Sequence, residues 1–266
     1  MSKAKVEIIY QDDDIIVVNK PSGVSVTYDR SGAVELVDIL ERQLGARILS
    51  QLRLVHRLDK DTSGVMILAR NKEAQSLFSG YFEKKQVKKT YLAIVTSTPT
   101  AREGTIDAPL APYRKNTEIM CIDHNRGKQS TTNWKLLADF GSAALLAVEP
   151  LTGRTHQIRV HLPSIGLPLA IDPLYGKSRY LFLSDFKSDY RLGKGQTEKP
   201  LIDRLTLHAY QIQLLTPSSN CPEYFIARLD KKFAACLKML TKYNPTGLNA
   251  FLSPDNFSKI LSGDRL

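Results

Sequence analysis

The chain has 266 residues, enough for one large domain or two small ones and for a substantial core. Charged residues are 24% and hydrophobic residues 42%, an ordinary globular balance, and no apolar run is long enough to span a bilayer. The 37 Lys and Arg exceed the 27 Asp and Glu by 10, so a polyanion is the natural partner, with RNA or DNA leading.

The first residues, Met1 to Glu7, lack the apolar region of a signal peptide, and the expected location is the cytoplasm. Cys121, Cys221 and Cys236 are scattered, odd in number and without a CxxC pair. They point to reduced thiols rather than a disulfide framework or a zinc ribbon.

Val6 to Tyr10 and Ile15 to Val18 flank three aspartates and read as a hairpin. Val34, Val37, Leu40 and Leu44 have helical spacing, with Gly45 as the stop. Leu52 to Val55 and Val65 to Ala69 read as strands. Asn71 can cap a helix that turns Ala74, Leu77, Phe78, Tyr81 and Phe82 to the core. Strand-like segments follow at Lys89 to Thr96, Glu118 to Ile122, Gln129 to Leu137, Ala143 to Glu149, Leu205 to Leu215 and Tyr224 to Leu229. Thr155 can cap a helix with Ile158, Leu162 and Ile165 on its buried face and Gly166 at its end, although Pro163 falls inside it. This order is not a regular βαβ alternation. It predicts an α+β fold with a central mixed or antiparallel sheet and flanking helices. The expected organisation is a single catalytic domain over 1–266, with an exposed insertion at about 187–200 and a helical tail over 231–266.

Between the two strands at 52–55 and 65–69 lies Leu54-Val55-His56-Arg57-Leu58-Asp59-Lys60-Asp61-Thr62-Ser63-Gly64. Such a charged cluster reads either as a solvated turn or as an active-site loop on a rigid sheet. Asp59, Asp61, Ser63 and Gly64 match the opening of a calcium loop, but the twelfth position is Arg70 where a bidentate Glu is required. Phosphate-binding glycine motifs fail as well: Gly127-Lys128 is followed by Gln129, and Gly176-Lys177-Ser178 has Ile171 where the first Gly belongs. His156 and His161 lack the His-Glu-x-x-His frame of a zinc site and suit local hydrogen bonds or substrate contact. The residues therefore call for neither a metal nor a nucleotide cofactor.

The His56-Arg57-Leu58-Asp59 run resembles the second motif of the RluA-type pseudouridine synthases. Val17 to Gly23, Lys89 to Val95, Gly153 to Leu162 and Arg204 to Ala209 resemble further motifs of that family, in its order, across roughly residues 6 to 229. The resemblance implies a pseudouridine synthase-like fold and isomerisation of uridines in structured rRNA or tRNA, without a cofactor. It implies one essential aspartate at the position of Asp59, with Asp61 as a competing carboxylate that otherwise reads as a turn residue. Arg159 corresponds to the family arginine that pairs with the catalytic aspartate. Arg57 would fill the gap left by a flipped base and Tyr91 would pack against the uracil. Read by themselves, these two are a surface arginine and a core strand tyrosine. His56 and Arg154 complete the expected RNA contacts, Arg154 through phosphate. Ile165 to Asp172 departs from the family pattern at Leu167 and Ile171, where His and Gly are common, which points to an altered loop shape and target recognition. The first motif begins near residue 6, so a stand-alone, monomeric enzyme without an S4-like module is expected. The rivals are a non-catalytic RNA-binding or RNA-chaperone protein, and a base-exchanging RNA glycosylase.

Overall fold

The computed structural model describes residues 5–26, 35–45, 52–176, 180–187, 189–193, 195–215 and 223–266. Their contacts gather the chain into two compact units, the first over Met1–Thr90 with His208–Arg228 and Arg265, the second over Tyr91–Leu207 with Leu229–Asp264 and Leu266.

The first unit opens with the expected hairpin, β1 (Glu7–Gln11) and β2 (Ile15–Lys20). Its turn is built by Asp12, whose Oδ1 accepts the backbone N–H groups of Asp14 at 2.9 Å and Ile15 at 2.7 Å. A short strand β3 (Arg53–Leu54) and the long β4 (Ser63–Ala69) flank the charged loop. The sheet runs β1-β2-β4, then β11 (Leu207–Leu214), then the start of β5 (Val87–Val95), with β12 (Tyr224–Ile226) beside β11. β2 pairs antiparallel with β1 and β4, whereas β4 and β11 run parallel, which makes the sheet mixed. Every residue of β4 is buried, so its apolar run is continuous rather than alternating.

Helix α1 (Leu36–Leu44) ends at Gly45 as its spacing predicts, but it buries Leu36, Ile39 and Leu40; Val34 lies outside the described residues. Helix α2 (Lys72–Glu83) is capped by Asn71, whose side chain accepts the Ala74 N–H at 2.7 Å. Ala74 and Phe78 are its buried residues, while Leu77 faces solvent. The helical period is right; the apolar stripe is simply wider than the surface it covers.

In the second unit the rest of β5 leads an antiparallel order β5-β10-β9-β6, formed with β6 (Glu103–Asp107), β9 (Thr131–Asp139) and β10 (Ala144–Pro150). A hairpin of β7 (Leu110–Tyr113) and β8 (Asn116–Ile122) lies off this sheet. β6 is mostly exposed and polar, and β7 is only four residues long with a proline inside it, so neither gives a strand signal in the sequence. Helix α3 (Gln157–Ser164) places Ile158 and Leu162 in a core with Ala93, Val95, Trp134, Leu146 and Leu169. Its cap is His156 in a left-handed conformation, not Thr155, and Ile165 is exposed. Pro163 is accommodated because the helix ends one residue later.

Leu167 and Ile171, where the sequence departs from the family pattern, are both buried. Ile171 N–H meets the Thr206 hydroxyl at 3.1 Å, and Leu167 sits in the core. These departures are packing changes rather than changes of an exposed loop. The described part of 187–200 has no helix or strand. The C-terminal stretch contains α4 (Lys231–Tyr243) and α5 (Asp255–Ser262), α4 being capped by Asp230, which accepts from Lys232 N–H at 2.8 Å and Phe233 N–H at 3.1 Å. Cys236 is buried on α4, and burial pushes its thiol up to about 12, which makes it inert. The fold is α+β, with a mixed sheet and flanking helices.

Gly64, the second residue of β4, has a positive φ of 119° beside β11. A Cβ there would overlap the Ala209 main chain. Gly141 has a similar φ of 78° but open space around it. Both should resist alanine, since φ strain costs about 1–3 kcal/mol. Gly64→Ala adds a backbone clash that Gly141→Ala lacks. We therefore expect Gly64→Ala to lower the melting temperature clearly more than Gly141→Ala; equal shifts would show that β11 yields.

Candidate active site

The charged loop is held from below by the segment after β2. Lys20, fully buried at the end of β2, donates from Nζ to the carbonyls of Val24 at 2.8 Å, Lys60 at 2.8 Å and Pro21 at 3.1 Å. Burial, opposed in part by the charges of Asp61 and Asp59, lowers its pKa to about 7. Three carbonyl acceptors also favour the ammonium, which alone can donate three hydrogen bonds. Ser22 Oγ donates to the Asp61 carbonyl at 2.7 Å and Gly23 N–H to the Lys60 carbonyl at 2.9 Å. Thr62 N–H closes the turn on the Asp59 carbonyl at 3.1 Å. The two residues after Asp59 are thus fixed through their main chain, and the Asp59 side chain is left half-buried.

The other end of the loop is locked by Ser63, whose hydroxyl meets His208 Nδ1 at 2.9 Å, while His208 Nε2 donates to the Ala227 carbonyl at 3.0 Å. Since a carbonyl can only accept, Nε2 carries a proton. Lys20, Ser63 and His208 lie within the motifs, where the sequence assigns them no role. Their signal was chemical type: a lysine inside an apolar strand needs carbonyls or carboxylates around it.

His56 and Arg57 precede Asp59 on the same loop. Arg57 is exposed. His56 is half-buried; its ring stacks on Phe82 with centroids 4.3 Å apart, and its Nε2 accepts the Ile67 N–H at 2.9 Å. Burial, with the nearby Lys89 charge, pushes His56 down to about 3, so it is neutral at physiological pH. Its ring ties the loop to β4 and α2.

In the second unit, Tyr91 lies on β5 opposite Val148 of β10 and packs, half-buried, against the core that includes Ile158 and Leu162. Arg159, between those two residues on α3, is buried. Its Nε and Nη2 donate to Asp172 Oδ2 at 2.8 Å and Oδ1 at 2.7 Å. The buried guanidinium was expected to meet a carboxylate, and this bidentate partner was not identified from sequence. Burial raises the Asp172 pKa, but hydrogen bonding and charge from Arg159, with the N–H groups of Leu174 and Tyr175, outweigh it and hold the carboxyl below its usual range. Arg154 is exposed, with Nε 3.3 Å from the Gln129 carbonyl, as suits a surface cation. His161 is buried on Ala108 O and Thr132 Oγ1, both at 2.9 Å, whereas His156 Nδ1 meets Tyr175 Oη at 2.8 Å. These two histidines thus have separate partners.

A neutral His56 has a pH consequence. Its folded pKa is depressed below 6.5, so the folded state takes up fewer protons than the unfolded chain between about pH 6.5 and 3. Stability is therefore lost as pH falls through that window. His56→Gln keeps an acceptor for the Ile67 N–H without a titrating group. We expect wild type to lose melting temperature relative to His56→Gln between pH 6.5 and 4; parallel curves would show that His56 protonates freely.

The chain matches the profile of RNA pseudouridylate synthases over residues 14–164, more than half of its length. It is 36% identical over 240 residues to the ribosomal large subunit pseudouridine synthase C of Vibrio parahaemolyticus, covering 89% of this chain and 70% of the relative. It is 32% identical over 245 residues to the ribosomal large subunit pseudouridine synthase D of Zymomonas mobilis, covering 88% and 72%. The solved human RNA pseudouridylate synthase domain containing 4 superposes with a TM-score of 0.65 at 28% identity, covering 88% of this chain and 92% of that one. With the charged loop, the tyrosine strand and the arginine helix each built as described, the chain belongs to the RNA pseudouridylate synthase family and is an enzyme that forms pseudouridine in RNA.

Proposed function

We propose that the enzyme isomerises specific uridines of structured rRNA or tRNA, taking the target base out of the stack and using Asp59 as its one catalytic carboxylate. The observation that carries this reading is the grip on the loop: Lys20, Ser22 and Gly23 fix the carbonyls of residues 60 and 61 while the Asp59 side chain is only half-buried. A rigid main chain under a reachable carboxylate is what nucleophilic attack requires. Asp61 has its carbonyl bound by Ser22 and fits the turn role better.

The reaction breaks the bond between uracil N1 and ribose C1′ and makes one between C5 and C1′, with the C5 proton leaving and a proton ending on N1. It needs no oxidant and no second substrate. Asp59 attacks the sugar or the base and departs when the rotated base closes on C1′. Arg159 supplies the positive partner for that carboxylate, Arg57 enters the vacancy in the RNA, and Tyr91 gives the uracil a face. Arg154 contacts phosphate, and the surplus of 10 positive charges provides the salt-sensitive part of RNA affinity. We read both compact units as one catalytic domain, because β5 and β11 each pass through both. The enzyme is read as a cytoplasmic monomer that works without nucleotide or metal.

Asp59→Asn keeps the shape and removes the charge. Product formation should vanish while RNA binding, which rests on Lys and Arg, persists. Near-normal turnover in this variant would sink the assignment. Retained RNA binding with no pseudouridine from wild type would favour an RNA chaperone, and release of free uracil a glycosylase.

Tyr91 allows ring and hydroxyl to be separated. Stacking on a base is worth roughly 1–3 kcal/mol. Tyr91→Leu should lose the flipped base and turnover together, whereas Tyr91→Phe keeps the base contact and tests only the hydroxyl. A fluorescent base analogue at the target position reports flipping apart from chemistry. If Tyr91→Leu flips and isomerises like wild type, Tyr91 is only a core residue of β5.

A further inference from the structure

Helix α4 (Lys231–Tyr243) follows the last of the family motifs, and the reaction outlined above gives it no task. Its buried residues are Phe233, Cys236, Leu237, Leu240 and Thr241, which share one side of the helix. Lys231, Lys238 and Lys242 follow one another at i, i+7 and i+11, so they fall within about 40° of arc on the opposite side. All three are exposed. They make a straight row of lysines along roughly 16 Å of helix.

This row does nothing for the helix itself. α4 contains no Asp or Glu. Two of its lysines stand in the first turn, where the helix dipole disfavours cations. Lys232 is matched there by Asp203, whose two carboxylate oxygens accept from Nζ at 2.6 and 2.8 Å. Lys238 and Lys242 are four residues apart, a spacing at which like charges repel. A further cation joins them at the end of the row: Lys187 Nζ lies 4.9 Å, and Lys242 Nζ 5.3 Å, from the centre of the Tyr243 ring. An element that breaks local charge rules without a gain for the fold points to function.

A row of cations fits a polyanion. A membrane surface would also require apolar side chains to insert, and those of α4 lie in the core apart from the half-buried Met239. Ammonium groups are point charges suited to phosphate, and the row carries no guanidinium fork or amide to read base edges.

We propose that the lysine row of α4, extended by Lys187, is a docking surface for the phosphate backbone of the substrate RNA, which adds affinity without reading sequence and takes no part in the chemistry. This rests on the reading of structured rRNA or tRNA as the substrate.

The test uses the full chain with the ribosomal and transfer RNA pools of cells deleted for the gene. Pseudouridine formation is followed across enzyme and KCl concentration, beside melting temperature. Changing Lys231, Lys238 and Lys242 together to Gln should weaken apparent RNA affinity about a hundredfold at about 0.1 M salt and lower the slope of log affinity against log salt by about two, as expected for three lost phosphate contacts. The rate at saturating enzyme and the melting temperature should stay at their wild-type values. The same three positions changed to Arg should keep wild-type affinity. Changing Lys72, Lys135 and Lys199 together to Gln removes equal charge from scattered exposed sites and should shift affinity far less. An equal shift would show that net charge alone matters and overturns the proposal. Lys238→Gln by itself, expected to lower the slope by about 0.7, keeps the test open if the triple variant fails to fold. Wild-type affinity and slope in the row variant, beside an active wild type, overturn this proposal alone. So does a row variant that keeps RNA affinity but loses binding to vesicles of phosphatidylserine and phosphatidylcholine, which would assign the surface to a membrane. A wild type that forms pseudouridine in neither pool removes the reading of the substrate, and this proposal with it.

Discussion

The first unit depends on one buried ammonium. Lys20 has no exposed surface, yet it keeps a charge-bearing group inside a sheet whose neighbours are Ile, Val and Met. Such a group is tolerated only when every proton has an acceptor. The three carbonyls it finds belong to two different loops, at residues 21 and 24 and at residue 60. Satisfying the lysine therefore forces the segment after β2 and the Asp59 loop into one geometry. The charges of Asp61 and Asp59 offset part of the burial that lowers the ammonium's pKa.

The second unit solves the same problem with side chains. Arg159 and Asp172 are both nearly inaccessible and neutralise each other through two charge-assisted hydrogen bonds. Charge is thus sorted by depth. The surplus of positive groups lies on the outside, where RNA phosphates can displace counterions, and the few buried ions are held one by one in fixed settings. Three histidines complete this sorting. His56 and His161 are pushed toward the neutral form, chiefly by burial, and His208 links Ser63 to the Ala227 carbonyl. Each holds main chain or a hydroxyl in place.

The sequence by itself determined the family, the order of the motifs and the larger elements, because these rest on local information. Ile15 to Val18 and Val65 to Ala69 are apolar runs that can only be buried strands, and Asn71 announces its helix through a cap contact three residues away. Tertiary structure decided what contact at a distance decides. β6 and β7 form because β9 and β8 offer them partners, not because their residues alternate. Leu77 and Ile165 have the right helical phase, but both are exposed. Lys20 could be read as a motif letter, but its three acceptors come from loops up to 40 residues away. Arg159 had to find a carboxylate, and a low-dielectric interior made that legible; only the turn at 172–176 showed that Asp172 grips one edge of its fork. Residue type states which bonds a buried group must make, and the path of the chain states with whom.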